Sequence, residues 1–219
     1  MKILGISGSP IPNSNTDRAV KAVLSGTGLG YDFHKLSDYT VSPCNACLGC
    51  VKTNRCVIKD DGNFFVERVK EADALVIGGF TPYSTLDSRT KDFMERMYPL
   101  RHNHGLLKGK PGVSVISSCV PENAEGLPPA GMLGANAVQF FMMEEGMNYL
   151  GNVNLNGNVP CLICGNGDSC SMTGITMLYG PDATVSIVGI KAFEKQPEAI
   201  AAAKELGLRI AETLNNKPL

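Results

Sequence analysis

Cys44, Cys47, Cys50 and Cys56 fall in one thirteen-residue stretch with the spacing Cys-x2-Cys-x2-Cys-x5-Cys. Thiolates this close along a chain can converge on one inorganic centre. Two consecutive x2 gaps are a signature of iron–sulfur ligation, whereas zinc sites usually split their ligands into two Cys-x2-Cys pairs around a longer loop. The spacing therefore points to a cluster, with a structural zinc knot, a disulfide pair or four unrelated thiols as the alternatives. Cys161, Cys164 and Cys170 repeat the spacing of Cys47, Cys50 and Cys56, and Gly165 and Gly167 would let that loop fold tightly. With Cys119 as a candidate fourth ligand, this group is a candidate second centre, either an iron–sulfur cluster or zinc. The plainer reading is a set of reduced thiols or a redox-active pair.

A second kind of chemistry is suggested between Ser7 and Thr16, Ser-Gly-Ser-Pro-Ile-Pro-Asn-Ser-Asn-Thr, which joins an apolar run to a helical pattern. Hydroxyl and amide side chains at a helix N-terminus can complete the coordination of a phosphate dianion without a basic residue. The segment lacks Gly-x-Gly-x-x-Gly, and Lys35 rather than an acid follows the next strand, which disfavours a dinucleotide site. Taken alone, an ordinary capped turn is the commoner explanation.

The elements that must position these groups follow from hydrophobic periodicity. Strands are expected at 2–7, 31–36, 74–79, 112–118 and 184–190. Helices are expected after Thr16, at 62–72 capped by Asp60 or Asp61, through Phe93, Met94 and Met97, at 135–150 and at 198–214. Short apolar strands alternating with helices imply an α/β flavodoxin-like, doubly wound, five-stranded parallel sheet in the order 2-1-3-4-5. On this reading residues 1–219 form a single domain, with an iron–sulfur loop at 43–57 and a Cys/Gly-rich insertion at 151–182 before the fifth strand. Ligands in such sheets sit beyond the carboxyl ends of the strands. The loops at 7–16, 43–57, 80–87 and 117–127 are therefore expected on one edge.

Composition excludes several classes of function. The 219 residues are 43% hydrophobic and 19% charged, with a formal charge of −1 and no apolar run long enough to span a membrane. Nucleic acid and anionic membranes are disfavoured as partners. Met1-Lys2 leads directly into Ile3-Leu4-Gly5-Ile6 with no signal-peptide pattern, so a cytoplasmic protein with reduced cysteines is expected. His102 and His104 read as surface residues and His34 as a packed or edge residue. Met142, Met143 and Met147 with Phe140 and Phe141 read as core or subunit interface.

Gly5-Ile6-Ser7-Gly8-Ser9-Pro10, the compact cysteine loop and Cys56-Val57-Ile58-Lys59-Asp60-Asp61 together resemble the iron–sulfur flavoproteins of anaerobes, within the flavodoxin-like NAD(P)H-dependent FMN reductase group. The resemblance covers roughly the first 100 residues. It implies FMN with its phosphate at Ser9, Ser14, Asn15 and Thr16 beside Ser7, and a [4Fe–4S] cluster on the four cysteines. It also implies homodimers or homotetramers in which one subunit's cluster lies near another's flavin. Relatives carry Pro-x-Tyr-x-Gly after the third strand where this chain has Thr81-Pro82-Tyr83-Ser84, and a glycine-rich loop where it has Ser117-Ser118-Cys119. Flavin contacts are expected from these two loops, with Tyr83 and Tyr98 able either to stack on the ring or to pack in the core.

The resulting expectation is a redox flavoprotein passing electrons between a one-electron donor such as ferredoxin, or another redox protein, and a two-electron small-molecule acceptor. The alternatives are an NAD(P)H-dependent FMN or quinone reductase with structural metal at the cysteines, and a flavodoxin-like metal-binding scaffold without flavin.

Overall fold

The computed structural model describes residues 1–122 and 124–216. Its centre is a parallel sheet of β1 (Lys2–Ser7), β2 (Gly30–Lys35), β3 (Ala74–Phe80), β4 (Pro111–Ser118) and β5 (Asn148–Asn156) in the order 2-1-3-4-5. Alternation along each strand splits its apolar residues between two cores. Leu4, Ile6, Leu75, Ile77 and Ile116 pack against α2 (Gly62–Glu71), α3 (Ser88–Glu95) and α4 (Ala130–Glu144). Ile3, Val76, Val113, Val115, Val153 and Leu155 pack against α1 (Asn15–Gly26) and α7 (Pro197–Asn215). Each such side chain contributes about 1.5–3 kcal/mol on leaving water, so β1, β3 and β4 have no face to spare for solvent.

The first four strands and the last helix lie where periodicity places them. The third quarter of the chain differs. Residues expected as the end of a long helix and the start of the Cys/Gly-rich insertion form β5, which pairs with β4 from Pro111↔Asn148 to Ser118↔Asn156. The cysteine-rich segment therefore follows the fifth strand instead of preceding it, and 184–190 holds a short helix, α6 (Val185–Val188), together with α5 (Gly174–Tyr179) upstream. β5 was hard to read because only Val153 and Leu155 are buried while Asn148, Asn152, Asn154 and Asn156 belong to the residue type that strands disfavour. Thr184-Val-Ser-Ile-Val alternates like a strand, but Val185 and Val188 instead cover a small satellite core of Val159, Leu162 and Ile175. Among the described residues no helix is long and apolar enough to cross a membrane.

Helices α1 and α7 meet where neither has a side chain. A Cβ on Gly207 would lie 2.5 Å from the Val23 carbonyl oxygen and 2.8 Å from Gly26 Cα, and backbone cannot yield as a flexible side chain can. Gly207→Ala should force the helices apart and cost about 1–3 kcal/mol. A fall in the denaturant midpoint with unchanged slope would show it, and an unchanged midpoint would refute the close contact.

Glu145 closes α4 with its carboxyl buried, Oε2 without a hydrogen-bond partner and Oε1 3.9 Å from Arg101. Burial pushes its pKa from 4.5 up to about 7, against the opposing pull of Arg101. A carboxyl whose folded-state pKa is raised favours the fold while protonated, so that contribution is complete below the unfolded value and lost as pH rises through the folded one. Glu145→Gln should therefore flatten the fall in melting temperature between about pH 5 and about pH 8, and be more stable than the parent at the upper end.

Candidate functional site

The polar loop after β1 is shaped by groups lying beneath it. Ser14 caps α1 by accepting the Asp17 N–H at 3.1 Å, and Asp17 returns the bond by accepting the Ser14 N–H at 3.0 Å. Asp17 is almost fully buried and would carry an uncompensated charge without Lys35, whose ammonium sits 2.7 Å from Oδ2. Lys35 also donates to the carbonyls of Ser9 at 2.7 Å and Ile11 at 3.0 Å, which fixes the loop from below. The first intrahelical bond runs from Arg18 N to Ser14 O, so the Asn15 and Thr16 amides precede the helical ladder, at the positive end of the helix dipole.

Above them a cleft of about 260 Å³ crosses the carboxyl ends of the central strands. Of the residues expected to hold a cofactor, Ser9, Ser14, Asn15, Thr16, Thr81, Pro82, Ser117 and Cys119 line it, joined by Gly157, Asn158 and Pro160 from beyond β5. Four others do not. Ser7 is wholly buried and donates its hydroxyl to Asp17 at 2.6 Å, one layer below the cleft. Tyr83 and Ser84 take positive φ angles of 50° and 62°, a turn that leaves Tyr83 fully exposed. Ser118 folds back on Val120, with its hydroxyl 3.1 Å from that amide. Burial pushes the Cys119 thiol up, with Lys191 opposing.

Asn15 faces the cleft but its amide is engaged elsewhere. Nδ2 donates to the Lys191 carbonyl at 2.6 Å, while Oδ1 accepts from Phe193 N at 3.0 Å and Arg18 at 2.6 Å. Asn158 exchanges two further bonds with Lys191. Asn15 latches the segment after the second cysteine group onto the phosphate-type loop, and Asn158 ties the same segment to the end of β5.

The first cysteine group builds a separate cavity. Cys44, Cys47, Cys50 and Cys56 line a space of about 360 Å³ together with Leu48, Val57, Ile58, Glu95, Arg96, Tyr98 and Pro99. Ala46, Leu48 and Asn54 hold positive φ angles that curl the chain around it. The loop is tied to the fold at both ends. Asn63 bonds both the N–H and the C=O of Cys56 at 2.9 Å, and Asn54 reaches the carbonyls of Pro99 at 2.7 Å and His102 at 2.8 Å. Arg96 forms a two-pronged ion pair with Asp60, at 2.7 and 2.8 Å, and donates to the Ser42 carbonyl at 2.8 Å. That pairing holds the Asp60 carboxyl far below the usual carboxylate range. Asp60, rather than Asp61, also caps α2 by accepting the Gly62 N–H at 2.9 Å. The Cys50 thiol is pushed up by burial and further by the other three cysteines.

Among the described residues, no group of three or more His, Cys, Asp or Glu side chains is drawn in around a single ion position. Four cysteines lining one half-open, largely apolar space suit a group larger than a single ion. The cavity shares no lining residue with the cleft, so within one chain the two are separate pockets. The reason lies in α3, which runs back from the carboxyl end of β3, so that its far end at Glu95 and Arg96 meets the cysteine loop below that edge.

In the second group, Cys161 is half-buried against the satellite core, with its sulfur accepting the Gly174 N–H at 3.3 Å, whereas Cys164 and Cys170 are exposed. Cys119 packs on the same satellite core as Cys161. His102 and His104 lie in a surface loop, and His34 packs edge-on to Tyr39, Phe64 and Phe65 as expected. Asp17, Lys35, Asp60, Asn63, Arg96 and Asn158 were not singled out from sequence as site residues. Asp60 is readable as a helix cap, and Ser14-x-x-Asp17 is a capping pattern three residues apart.

A five-stranded parallel sheet in this order, with a helix N-terminus facing a cleft at the switch point between β1 and β3, defines a flavodoxin-like protein. The chain belongs to the NADPH-dependent FMN reductase family, which it matches over residues 1–143. It is 35% identical over 104 residues to an iron-sulfur flavoprotein of Methanocaldococcus jannaschii, covering 46% of this chain and 54% of the relative. To an iron-sulfur flavoprotein of Methanosarcina thermophila it is 31% identical over 118 residues, covering 52% and 62%. The chain thus matches little more than half the length of these relatives. In structure it is similar to a flavone reductase, with a TM-score of 0.63 and 15% identity over 99% of this chain and 64% of the other. An FMN-dependent NADH-azoreductase of Bacillus anthracis gives a TM-score of 0.63 at 13% identity, over 96% and 100%.

Asn15→Ala should release the 191–193 segment, at a cost of about 1–2 kcal/mol for the lost buried bonds. Limited proteolysis read by mass spectrometry should then show new cleavage between residues 180 and 196, and a digestion pattern unchanged from the parent would show that the latch carries no weight.

Proposed function

We propose that this protein is an FMN-dependent oxidoreductase with a [4Fe–4S] cluster on Cys44, Cys47, Cys50 and Cys56, moving electrons between a one-electron donor such as ferredoxin and a two-electron small-molecule acceptor. The observation that carries this reading is the pair of built cavities, one at a helix N-terminus on the switch point and one walled by four cysteines. When bound, the flavin supplies two-electron storage and the cluster one-electron transfer.

The chain's own residues bind and orient. The α1 amides with Ser9, Ser14 and Thr16 would receive the phosphate, and the partly buried Lys35 offsets Asp17 so that the anion meets no net negative charge. Thr81, Pro82, Ser117 and Cys119 flank the remainder of the cofactor. The thiols suit a reducing compartment such as the cytoplasm, since all eight cysteines are free. The rim of the cysteine cavity is apolar and open, with Leu48 and Val57 more than half exposed. Covering that rim in a homodimer or homotetramer would bring the cluster of one subunit toward the cleft of another.

Protein purified without oxygen should hold about four irons, with matching sulfide, and one FMN per chain. Cys50→Ser should lose the iron and keep the flavin. Absence of iron and sulfide from the anaerobic parent would overturn the cluster, and absence of flavin the whole reading. About eight irons would assign Cys161, Cys164 and Cys170 to a second cluster; about four, with stoichiometric zinc, would make that group a zinc site. The family's description favours a second reading, a reductase taking hydride from NAD(P)H. Flavin reduction by NAD(P)H but not by reduced ferredoxin would select it.

A further inference from the structure

The guanidinium of Arg96 is fully buried, and its three recorded hydrogen bonds all leave from Nη1 and Nη2, to Asp60 and Ser42. Nε is buried with no acceptor. Leaving one N–H of a buried cation unpaired costs free energy, so such a group marks a place where an acceptor belongs. Arg96 lines the cysteine cavity and Asp60 does not. The ion pair is therefore oriented, with its positive end toward the four sulfurs and its carboxylate behind. Room for this arrangement comes from Gly62, where a Cβ would lie 2.3 Å from Nη2. Cys56 lines the same cavity as Arg96. Glu95, the other charged residue on the cavity wall, is paired outward with Lys91 at 3.5 Å.

We propose that Arg96 is a positioning residue of the cluster, which donates Nε–H to the Cys56 side of the site and raises the reduction potential by placing an oriented buried cation there. This rests on the cluster reading above. Four thiolates and a cluster carry net negative charge that grows by one on reduction, so a nearby cation and a hydrogen bond to sulfur stabilise the reduced form more than the oxidised one. Arg96 reaches the site from the end of α3, about 40 residues beyond the cysteines, and the spacing of the ligands does not reveal it.

The test uses anaerobically purified holoprotein, with iron and sulfide assay, electron paramagnetic resonance of the reduced cluster, and spectroelectrochemical titration. Asp60→Asn, which keeps the cation and removes its counter-charge, should raise the midpoint. The double variant Asp60→Asn with Arg96→Gln removes both charges without stranding either, and should lower the reduced-to-oxidised ratio at fixed potential about tenfold, or about 59 mV for one electron. A double variant that holds iron and titrates with the parent would overturn the proposal. Should the double variant lose its iron, Arg96→Lys carries the test, with an expected fall of about threefold in the same ratio. An unchanged midpoint there, or loss of iron from both variants with the chains still folded, would reduce Arg96 to a structural staple. A parent without iron would instead defeat the cluster reading itself.

Discussion

Strands β1, β3 and β4 are apolar on both faces, and a parallel sheet of that kind can exist only if every connection crosses a face as a helix. Each strand therefore ends at the same edge, and each crossover leaves the sheet there. The cleft follows directly. The segments after β1, β3, β4 and β5 have nowhere else to turn, and the start of α1 is left with amides that precede the helical ladder. The tight seam between α1 and α7 at Gly207 belongs to the same constraint, because those two helices, with Phe193 beside them, close the second face of the sheet.

Two buried ion pairs translate that scaffold into loop geometry. Asp17 with Lys35 sets the floor of the phosphate-type loop, and Asp60 with Arg96 sets the wall of the cysteine cavity. Neither is a strong argument for stability, since taking two charges out of water costs about what their attraction returns. Their value lies in direction. Lys35 draws in two loop carbonyls and Arg96 draws in Ser42, so each cation holds a segment that has no secondary structure of its own. Removing one partner would strand the other and cost about 3–5 kcal/mol.

Separation of the two cavities changes what a single chain can do. Electron exchange between a centre in the cysteine loop and one in the cleft needs proximity, and within the chain the two walls share no residue. The rim around the cysteines is apolar, and Phe140 and Met143 of α4 are exposed.

Much of the architecture was readable from local pattern. Apolar runs at 2–7, 74–79 and 112–118 read as strands, and Cys-x2-Cys-x2-Cys-x5-Cys narrows the chemistry because ligands close in sequence are close in space. The polar loop at 9–16 was legible for the same reason, and most of its residues do line the cleft. Where the reading failed, the deciding contact was distant. β5 is a strand only because β4 offers it an edge, and 184–190 is not one because the satellite core claims it. Ser7 looked like a ligand and is a floor residue, since Asp17 lies beneath it; Asn15 looked free and is held from 176 residues away. Chain spacing by itself determined which chemistry the cysteines and the polar loop can support. Only the tertiary structure decided where the buried charges point, because Lys35 and Arg96 act across 18 and 36 residues through a low-dielectric interior whose shape no local pattern encodes.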